Sequence, residues 1–189
     1  ISQSGALGIA LMGWTILEKI GLSAIVSIGN KADIDDADLI EFFGEDENTK
    51  VILIYMEGVK RAREFMKTAK KVSLKKPIII LKAGRSEKGM KAVASHTGSL
   101  AGADLIYSAA FKQCGILRAR DVEEAFDWAR ALANLPEPKG DKTIIITNGG
   151  GLGVMATDAC NDYGIKLLEP SPEQIEKFRK HMPPFGSPY

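Results

Sequence analysis

One histidine surrounded by small residues is the first candidate for chemistry in this sequence. His96 lies in the run Ser95-His96-Thr97-Gly98-Ser99-Leu100-Ala101-Gly102, whose small side chains leave room for a ligand or a bulky group at the imidazole. Residues 82–94, which precede this run, are interpreted as a long loop. A histidine packed in a core fits these small polar neighbours poorly, although the residues alone leave that role open.

Several reactions of a single histidine can be compared. Metal binding requires further ligands, and no other His or Cys in the sequence stands at a useful spacing. A Ser-His-Asp triad requires a G-x-S-x-G turn, which the sequence lacks. General acid–base chemistry stays open, because the pattern does not specify it. Nucleophilic transfer also stays open, and it requires a carboxylate that orients the ring and a site for the transferred anion.

Glu57 is the best candidate for the orienting carboxylate. It follows the apolar run Val51-Ile52-Leu53-Ile54-Tyr55, which is typical of a buried strand. Parallel sheets place their functional sites at the carboxyl ends of the strands, and Glu57 is expected at such an end. The alternative is an exposed acid that merely ends a strand.

Two glycine turns predict sites for the anion. Residues 1–8 and residues 147–153 are each expected to span the end of a strand, a tight turn and the start of a helix, and Ser2 and Ser4 add hydroxyl groups to the first turn. Unpaired N–H groups and the helix dipole bind phosphate or carboxylate there. Neither turn is a Walker loop, and such a turn taken alone is more often a plain strand–helix turn with a helix N-cap. Two helix openings aimed at one point would hold one phosphoryl group between them.

The elements that position these residues alternate between strands and helices. Four continuously apolar runs predict strands over residues 24–28, 51–55, 77–81 and 143–147. Helices are predicted over residues 6–20, 36–44, 60–73, 102–113, 121–134, 153–163 and 172–181. This order predicts an α/β fold with a parallel sheet flanked by helices.

A proline- and glycine-containing stretch, residues 136–141, is predicted to be a linker. It separates a first domain, residues 1–135, from residues 142–189, which are interpreted as the truncated start of a second α/β domain. About 48 residues rarely bury a core alone. The sequence is therefore interpreted as a fragment of a longer protein.

Composition excludes several classes of protein. The chain has 189 residues, of which 45% are hydrophobic and 26% charged, and its 25 basic and 24 acidic residues give a net charge of +1. These values exclude a disordered chain and give no support for nucleic acid as the main partner. No apolar run approaches the roughly 18 residues that span a bilayer. The bases Lys82, Arg85, Lys88 and Lys91 are expected on the solvated surface, as is His181.

Cysteine usage and charge content suggest a cellular setting. Cys114 and Cys160 lie far apart among apolar residues, so both are expected to be buried free thiols in a reducing cytoplasm. Abundant Lys and Glu with few Gln weakly indicate a thermophile.

Six segments in this order resemble the nucleoside-diphosphate-forming acyl-CoA synthetases, which include the ADP-forming acetyl-CoA synthetases and succinyl-CoA synthetase. The segments, which span nearly the whole chain, are residues 2–8, 27–33, 55–59, 82–86, 95–102 and 147–153. The histidine segment with its flanks is the most specific of them.

The resemblance implies a fold and a set of roles. Residues 1–135 would form a succinyl-CoA synthetase-like, flavodoxin-like domain, and residues 142–189 would begin a second, similar domain. His96 would be phosphorylated during acyl-CoA + ADP + phosphate → carboxylic acid + ATP + CoA, and Glu57 would orient it. Two helix openings would hold the phosphoryl group, through Ser4, Gly5 and Ala6 and through Gly150, Gly151 and Leu152. No metal ligand is implied on this chain.

The resemblance also implies partners. ADP or ATP with Mg²⁺ would bind an ATP-grasp β subunit or fused domain, and CoA would bind mainly an N-terminal domain outside this sequence. An oligomer is expected. Two alternatives stay open: an acyl-CoA-sensing regulatory module of a protein acetyltransferase, against which the retained His96 argues, and a non-enzymatic flavodoxin-like binding module.

Overall fold

The computed structural model describes residues 1–97, 104–184 and 186, without the side chains of His96 and Thr97. Contacts divide the chain into two units, Ile1–Pro136 and Glu137–Tyr189. The linker over residues 136–141 and the domain bounds drawn from the sequence stay predictions.

The first unit contains three strands and six helices among its described residues. They are α1 (Gly5–Leu17), α2 (Asp36–Glu45), β1 (Ile52–Met56), α3 (Ala62–Val72), β2 (Ile78–Lys82), α4 (Glu87–Thr97), α5 (Asp104–Gln113), β3 (Leu117–Ala119) and α6 (Val122–Asn134).

The sheet of this unit is parallel. β1 pairs with β2 from Ile52–Ile78 to Met56–Lys82, and β2 pairs with β3. Ser2 makes parallel bridges to both Ser27 and Tyr55, so the chain around Ser2 lies between the segment around Ser27 and β1. Across the sheet the neighbours are the segment at Ser27, the segment at Ser2, β1, β2 and β3. Numbered along the chain this is the order 2-1-3-4-5 of flavodoxin-like folds. The predicted fold class is confirmed.

Both faces of the central strands are covered. On one face, α2, α3 and α5 pack Ile40, Phe65 and Phe111 against alternate residues of β1 and β2. On the other face, α6 packs Ala125 against Ile79. Burial on both faces explains why these strands read as continuous apolar runs rather than alternating ones.

Helix α1 is apolar around most of its circumference. Gly8 and Thr15 are buried, whereas Ile16 and Leu17 are 73% and 81% exposed. Trp14 stacks on Phe126 of α6 with the ring centres 5.8 Å apart. A cleft of about 900 Å³ lies between α1, α6 and β1.

One element prediction is wrong. The loop predicted over residues 82–94 contains most of α4, because Ser86 starts a helix there: its Oγ accepts from the amide of Gly89 at 3.1 Å and its carbonyl accepts from Met90 at 2.7 Å. Val93 is buried in this helix. Gly84, at a φ of +73°, makes the turn before it, where an added Cβ would lie 3.0 Å from a methyl of Val93.

Two predicted strands are shorter or more exposed than expected. Over residues 24–28 only Ser27 forms a bridge, and Ile25 is 43% exposed. Of residues 143–147 only Thr143 belongs to a strand, and Ile144 and Ile146 are exposed. The strands predicted over residues 24–28 and 143–147 are therefore not formed over their full length.

The second unit contains β4 (Lys142–Thr143), α7 (Gly150–Asp162), β5 (Lys166–Leu167) and α8 (Pro172–Arg179). β4 and β5 pair in parallel. Cys160 is buried within this unit, and Cys114 is buried within the first; both are free thiols, as expected. No helix in the described part of the chain is long and apolar enough to cross a bilayer.

Candidate active site

The first glycine turn lies at the point where the strand order reverses, the usual ligand crevice of such sheets. The hydroxyl of Ser2 donates to the carbonyl of Ser4 at 2.6 Å and accepts from its amide at 3.2 Å. Ser4 caps α1, since its Oγ accepts from the amide of Leu7 at 3.3 Å. The hydroxyl of Ser2 is therefore engaged within the turn itself.

The first amides of α1 face outward from this turn. Within the described residues, the N–H groups of Gly5 and Ala6 have no hydrogen-bond acceptor. Helix α1 packs closely on this turn, since a Cβ added at Gly8 would be in van der Waals contact with Ser2, 3.4 Å from its Cβ. The structure thus provides a fixed helix opening of the kind that binds anions.

Glu57 lies beside this opening, directly after β1. It is only 5% exposed, so the alternative of an exposed strand-end acid is wrong. Its Oε1 accepts from the hydroxyl of Tyr55 at 3.4 Å. Its Oε2 is buried and has no hydrogen-bond partner among the described residues. A buried carboxylate oxygen in this state is a ready acceptor for one more N–H or O–H donor.

The backbone at Glu57 is held by buried side chains. Oε1 of Gln3 accepts from the amides of Glu57 at 2.8 Å and Gly58 at 3.2 Å. Nζ of Lys82 donates to the carbonyl of Glu57 at 2.8 Å. Nζ of Lys31 donates to the carbonyl of Gly58 at 2.5 Å. Sequence patterns do not indicate this role for Gln3, Lys31 or Lys82.

Lys82 contradicts the expectation of a solvated surface base. It is 3% exposed, and its Nζ lies 4.4 Å from the ring centre of Tyr107 and also donates to the carbonyl of Ala83. Burial lowers the pKa of Lys82 to about 8. Arg85 and the other bases that precede His96 are exposed, as predicted.

Lys31 forms a buried ion pair with Asp36 at the start of α2. Burial raises the pKa of Asp36, and the adjacent Lys31 opposes that change. Oδ1 of Asp36 has no hydrogen-bond partner among the described residues. Lys31 also has a left-handed backbone, with a φ of 57°, which costs free energy in a residue with a Cβ.

His96 lies in the last turn of α4. Its side chain, and residues 98–103 that follow it, lie outside the described residues. The predicted contact between His96 and Glu57 therefore stays a prediction. His181 is exposed, as expected. In the described ranges no three His, Cys, Asp or Glu residues are placed to hold a metal ion.

An ion pair holds the start of α5, the helix that follows the histidine segment. Asp104 begins α5, and its Oδ1 lies 2.5 Å from Nη2 of Arg118 on β3. Arg118 also donates to the hydroxyl of Ser108. These contacts fix the start of α5, and local sequence patterns do not indicate them because Arg118 is fourteen positions away from Asp104.

The second glycine turn lies in the second unit. Gly149 is the N-cap of α7 and provides no side-chain hydrogen bond, whereas Oγ1 of Thr147 accepts from the amide of Gly149 at 3.0 Å. Gly150, Gly151 and Leu152 form the first turn of the helix, earlier than the predicted start at residue 153, and all three are exposed. The meeting of the two helix openings at one phosphoryl group stays a prediction.

Fold and site together define a flavodoxin-like α/β domain in which a helix opening with unpaired first amides lies beside a buried carboxylate. Residues 1–132 match the family described as succinyl-CoA ligase like flavodoxin domain, and residues 143–188 match the ligase-CoA domain. The chain belongs to the succinyl-CoA ligase like flavodoxin domain family, which confirms the resemblance that its motifs indicated.

Two similar proteins are named as ADP-forming acetate–CoA ligases. The α subunit of ADP-forming acetate–CoA ligase I from Pyrococcus furiosus is 73% identical over 187 residues, covering 99% of this chain and 40% of that protein. ADP-forming acetate–CoA ligase from Methanocaldococcus jannaschii is 52% identical, covering 97% of this chain and 26% of that protein. The chain thus spans less than half the length of these relatives.

A solved structure is similar throughout. Acetyl-coenzyme A synthetase 1 of Candidatus Korarchaeum cryptofilum, solved in complex with phosphate and ADP, superposes with a TM-score of 0.92 at 57% identity. The match covers 98% of this chain and 40% of that one.

Proposed function

We propose that this protein carries the phosphoryl group in an ADP-forming acyl-CoA synthetase, with acetyl-CoA as the expected acyl-CoA. The reaction is acyl-CoA + ADP + phosphate → carboxylic acid + ATP + CoA. Relatives that cover nearly the whole chain bear ADP-forming acetate–CoA ligase names, which supports this activity. The observation that carries the proposal is Glu57, a buried carboxylate with one oxygen unpartnered in the described structure, next to the opening of α1.

The proposed reaction has three steps. Inorganic phosphate attacks the thioester carbonyl, giving an acyl phosphate and releasing CoA. The neutral imidazole of His96 then attacks phosphorus, and the carboxylate of the acid leaves. ADP finally takes the phosphoryl group from the imidazole, which forms ATP and restores the neutral ring.

This chain's own residues would position the groups for the second step. The amides of Gly5 and Ala6 would donate to the phosphoryl oxygens, and the exposed first turn of α7 at residues 150–152 would donate from the other side. Oε2 of Glu57 would accept the N–H of the ring nitrogen that does not attack. That bond fixes the reactive tautomer and stabilises the positive charge of the phosphorylated ring.

The remaining substrates are expected to bind elsewhere. We propose that an ATP-grasp β subunit or fused domain binds ADP and Mg²⁺, that an N-terminal domain binds most of CoA, and that the assembly is an oligomer. A relative is named as an α subunit, which supports a partner chain. We keep the cytoplasm as the proposed location. The ligase names of the relatives give no support to the acyl-CoA-sensing or the non-enzymatic alternative.

Labelled ATP with Mg²⁺ tests the phosphohistidine directly. The full-length protein with its nucleotide-binding partner should take up acid-labile, alkali-stable label on this chain. His96→Ala should remove both the label and acyl-CoA synthesis. His181→Ala is the matched control, since His181 is exposed, and it should keep both. No label on a folded, active complex would contradict the proposal.

Glu57→Gln tests the orienting role. An amide keeps the volume of the side chain but not its charge, so label should form about a hundredfold more slowly, which is within the range of a positioned acid–base group. The thermal midpoint should change little. An unchanged rate of labelling would exclude Glu57 as the orienting carboxylate.

A further inference from the structure

We propose that Gln3, Lys31 and Lys82 are positioning residues that fix the Glu57–Gly58 turn and so aim the carboxylate of Glu57 at its target. This inference rests on the proposed function. It adds three residues, none of which needs to touch a substrate, to the machinery of phosphoryl transfer. Together, Gln3, Lys31 and Lys82 form what we call the turn clamp.

The turn clamp engages every backbone polar group of the dipeptide. Gln3 accepts from both amides, Lys82 donates to the carbonyl of Glu57, and Lys31 donates to the carbonyl of Gly58. A turn that leaves a strand normally bonds to its neighbours through backbone or water. Here three side chains replace those partners, and each comes from a different part of the chain.

All three members of the turn clamp are buried. Gln3 is 9% exposed, and Lys31 and Lys82 are each 3% exposed. Burying lysines is costly unless their hydrogen bonds are made, and charge-assisted bonds are roughly twice as strong as neutral ones. A hydrophobic residue in place of either lysine would leave buried carbonyl oxygens of this turn without a donor. The two buried charges therefore hold the turn in one conformation.

Lys82 also connects the Glu57 turn to the chain that follows β2 and to α5. Its Nζ donates to the carbonyl of Ala83, which leads into α4, and lies over the ring of Tyr107 in α5. α4 ends at Thr97, and α5 begins at Asp104. Lys82 thus contacts the turn that bears the orienting carboxylate, the residue that leaves β2 toward α4, and a ring of α5.

The neighbouring charges are consistent with a positioning role. Asp104 and Glu57 favour the charged form of Lys82, and Arg118 and Lys31 oppose it. Lys31 in turn pairs with Asp36 rather than with Glu57. The carboxylate of Glu57 is therefore left free of a direct cation among the described residues, and its Oε2 stays available.

A double-mutant cycle separates positioning from general stability. In the full-length protein with its partner, Lys82→Met should slow phosphohistidine formation about tenfold or more, since small misplacements of catalytic groups have effects of this size. The loss should be in kcat rather than in KM. In a Glu57→Gln background the same substitution should change the rate less than about twofold, because residues that act through one another are not additive. Lys67→Met, an exposed lysine on α3, is the matched control.

A second pair of variants keeps the test decisive if Lys82→Met does not fold. Gln3→Met removes the oxygen that accepts from the amides of Glu57 and Gly58, whereas Gln3→Glu keeps an acceptor oxygen at this position. Labelling that is slow in Gln3→Met and faster again in Gln3→Glu would support the turn clamp. Equal rates in both variants and the unsubstituted protein would overturn it.

Two further outcomes have separate meanings. If Lys82→Met slows labelling equally with Glu57 intact and in the Glu57→Gln background, Lys82 acts independently of Glu57. That result would overturn the turn clamp while leaving the phosphohistidine intact. Absence of label in the unsubstituted complex would instead remove the proposed function, and the turn clamp with it.

Discussion

The openings of α1 and α7 have similar sequences and different surroundings. α1 begins soon after Ser2, which bridges both Ser27 and Tyr55. Its N-cap Ser4 contributes a side-chain acceptor to the first turn, and a Cβ added at Gly8 would be in contact with Ser2. α7 begins after a short strand, its N-cap Gly149 has no side chain to contribute, and nothing lies within 4 Å of a Cβ added at Gly150. One opening is built into a sheet, and the other is exposed within its unit.

This difference shows that the local conformation of a helix opening and the contacts that hold it in place are set separately. A glycine turn before a helix frees the same amides in both places, because helix termini always leave them unpaired. What holds those amides in place differs: a five-segment sheet and a side-chain cap in the first case, and Thr147 in the second. Similar motifs therefore predict similar chemistry but not similar rigidity.

The largest expected effect comes from covering the amides. Gly5→Val and Gly150→Val place a branched side chain at the first position of each helix, with the nearest atom, Oγ of Ser27, 3.5 Å from the new Cβ at Gly5. Each should slow phosphohistidine formation roughly a hundredfold, the effect of losing a preorganised oxyanion donor. Single-turnover labelling of the full-length complex measures this.

The control for that pair is Gly13→Val on α1, where nothing lies within 4 Å of the new Cβ. It should leave labelling unchanged. A normal rate in Gly150→Val with a slow rate in Gly5→Val would mean that only the sheet-supported opening binds the phosphoryl group.

A smaller effect is expected from the cap of α1. Ser4→Ala removes the oxygen that accepts from Leu7, and such losses destabilise a helix by about 1 kcal/mol. Hydrogen exchange of the first amides of α1 should become correspondingly faster. Ser171→Ala at the capping box of α8 is the matched control, and it should affect α8 alone. Unchanged exchange in α1 would show that the sheet, rather than Ser4, holds this opening.

The smallest expected effect is a gain at α7. Gly149→Ser supplies the missing cap, and the extended backbone of Gly149, with φ −118°, accepts a side chain. The expected stabilisation is a few tenths of a kcal/mol, the usual difference between Gly and Ser caps. Slower hydrogen exchange in the first turn of α7 would measure it. Faster exchange would show that a Cβ close to Leu152 disturbs the turn.

Local patterns predict most of the first unit. β1, β2, α2 and α6 lie within two residues of their predicted bounds, because apolar periodicity and caps specify them without distant contacts. α4 is not predicted, since glycines at positions 84 and 89 outweigh the helix-forming Ala and Lys between and after them. β3 is not predicted because three residues give too short a pattern.

The candidate site is predicted only in part. Glu57 can be found from its place after an apolar strand. Gln3 and Lys82 cannot, because their burial depends on partners 54 and 25 positions away. In the sequence, a lysine at a strand end is expected to be exposed to solvent. Its burial is found only in the structure, where the Glu57–Gly58 turn accepts its hydrogen bond.

The bridges of Ser2 have a consequence for how the sheet forms. The chain around Ser2 precedes Ser27 and Tyr55 in the sequence but lies between them in the sheet. The central part of the sheet therefore cannot close until β1 has left the ribosome. Pairings this far apart in sequence raise contact order and slow folding. Until then the apolar helix α1 has no sheet to pack on, and apolar surface that is uncovered during folding favours aggregation.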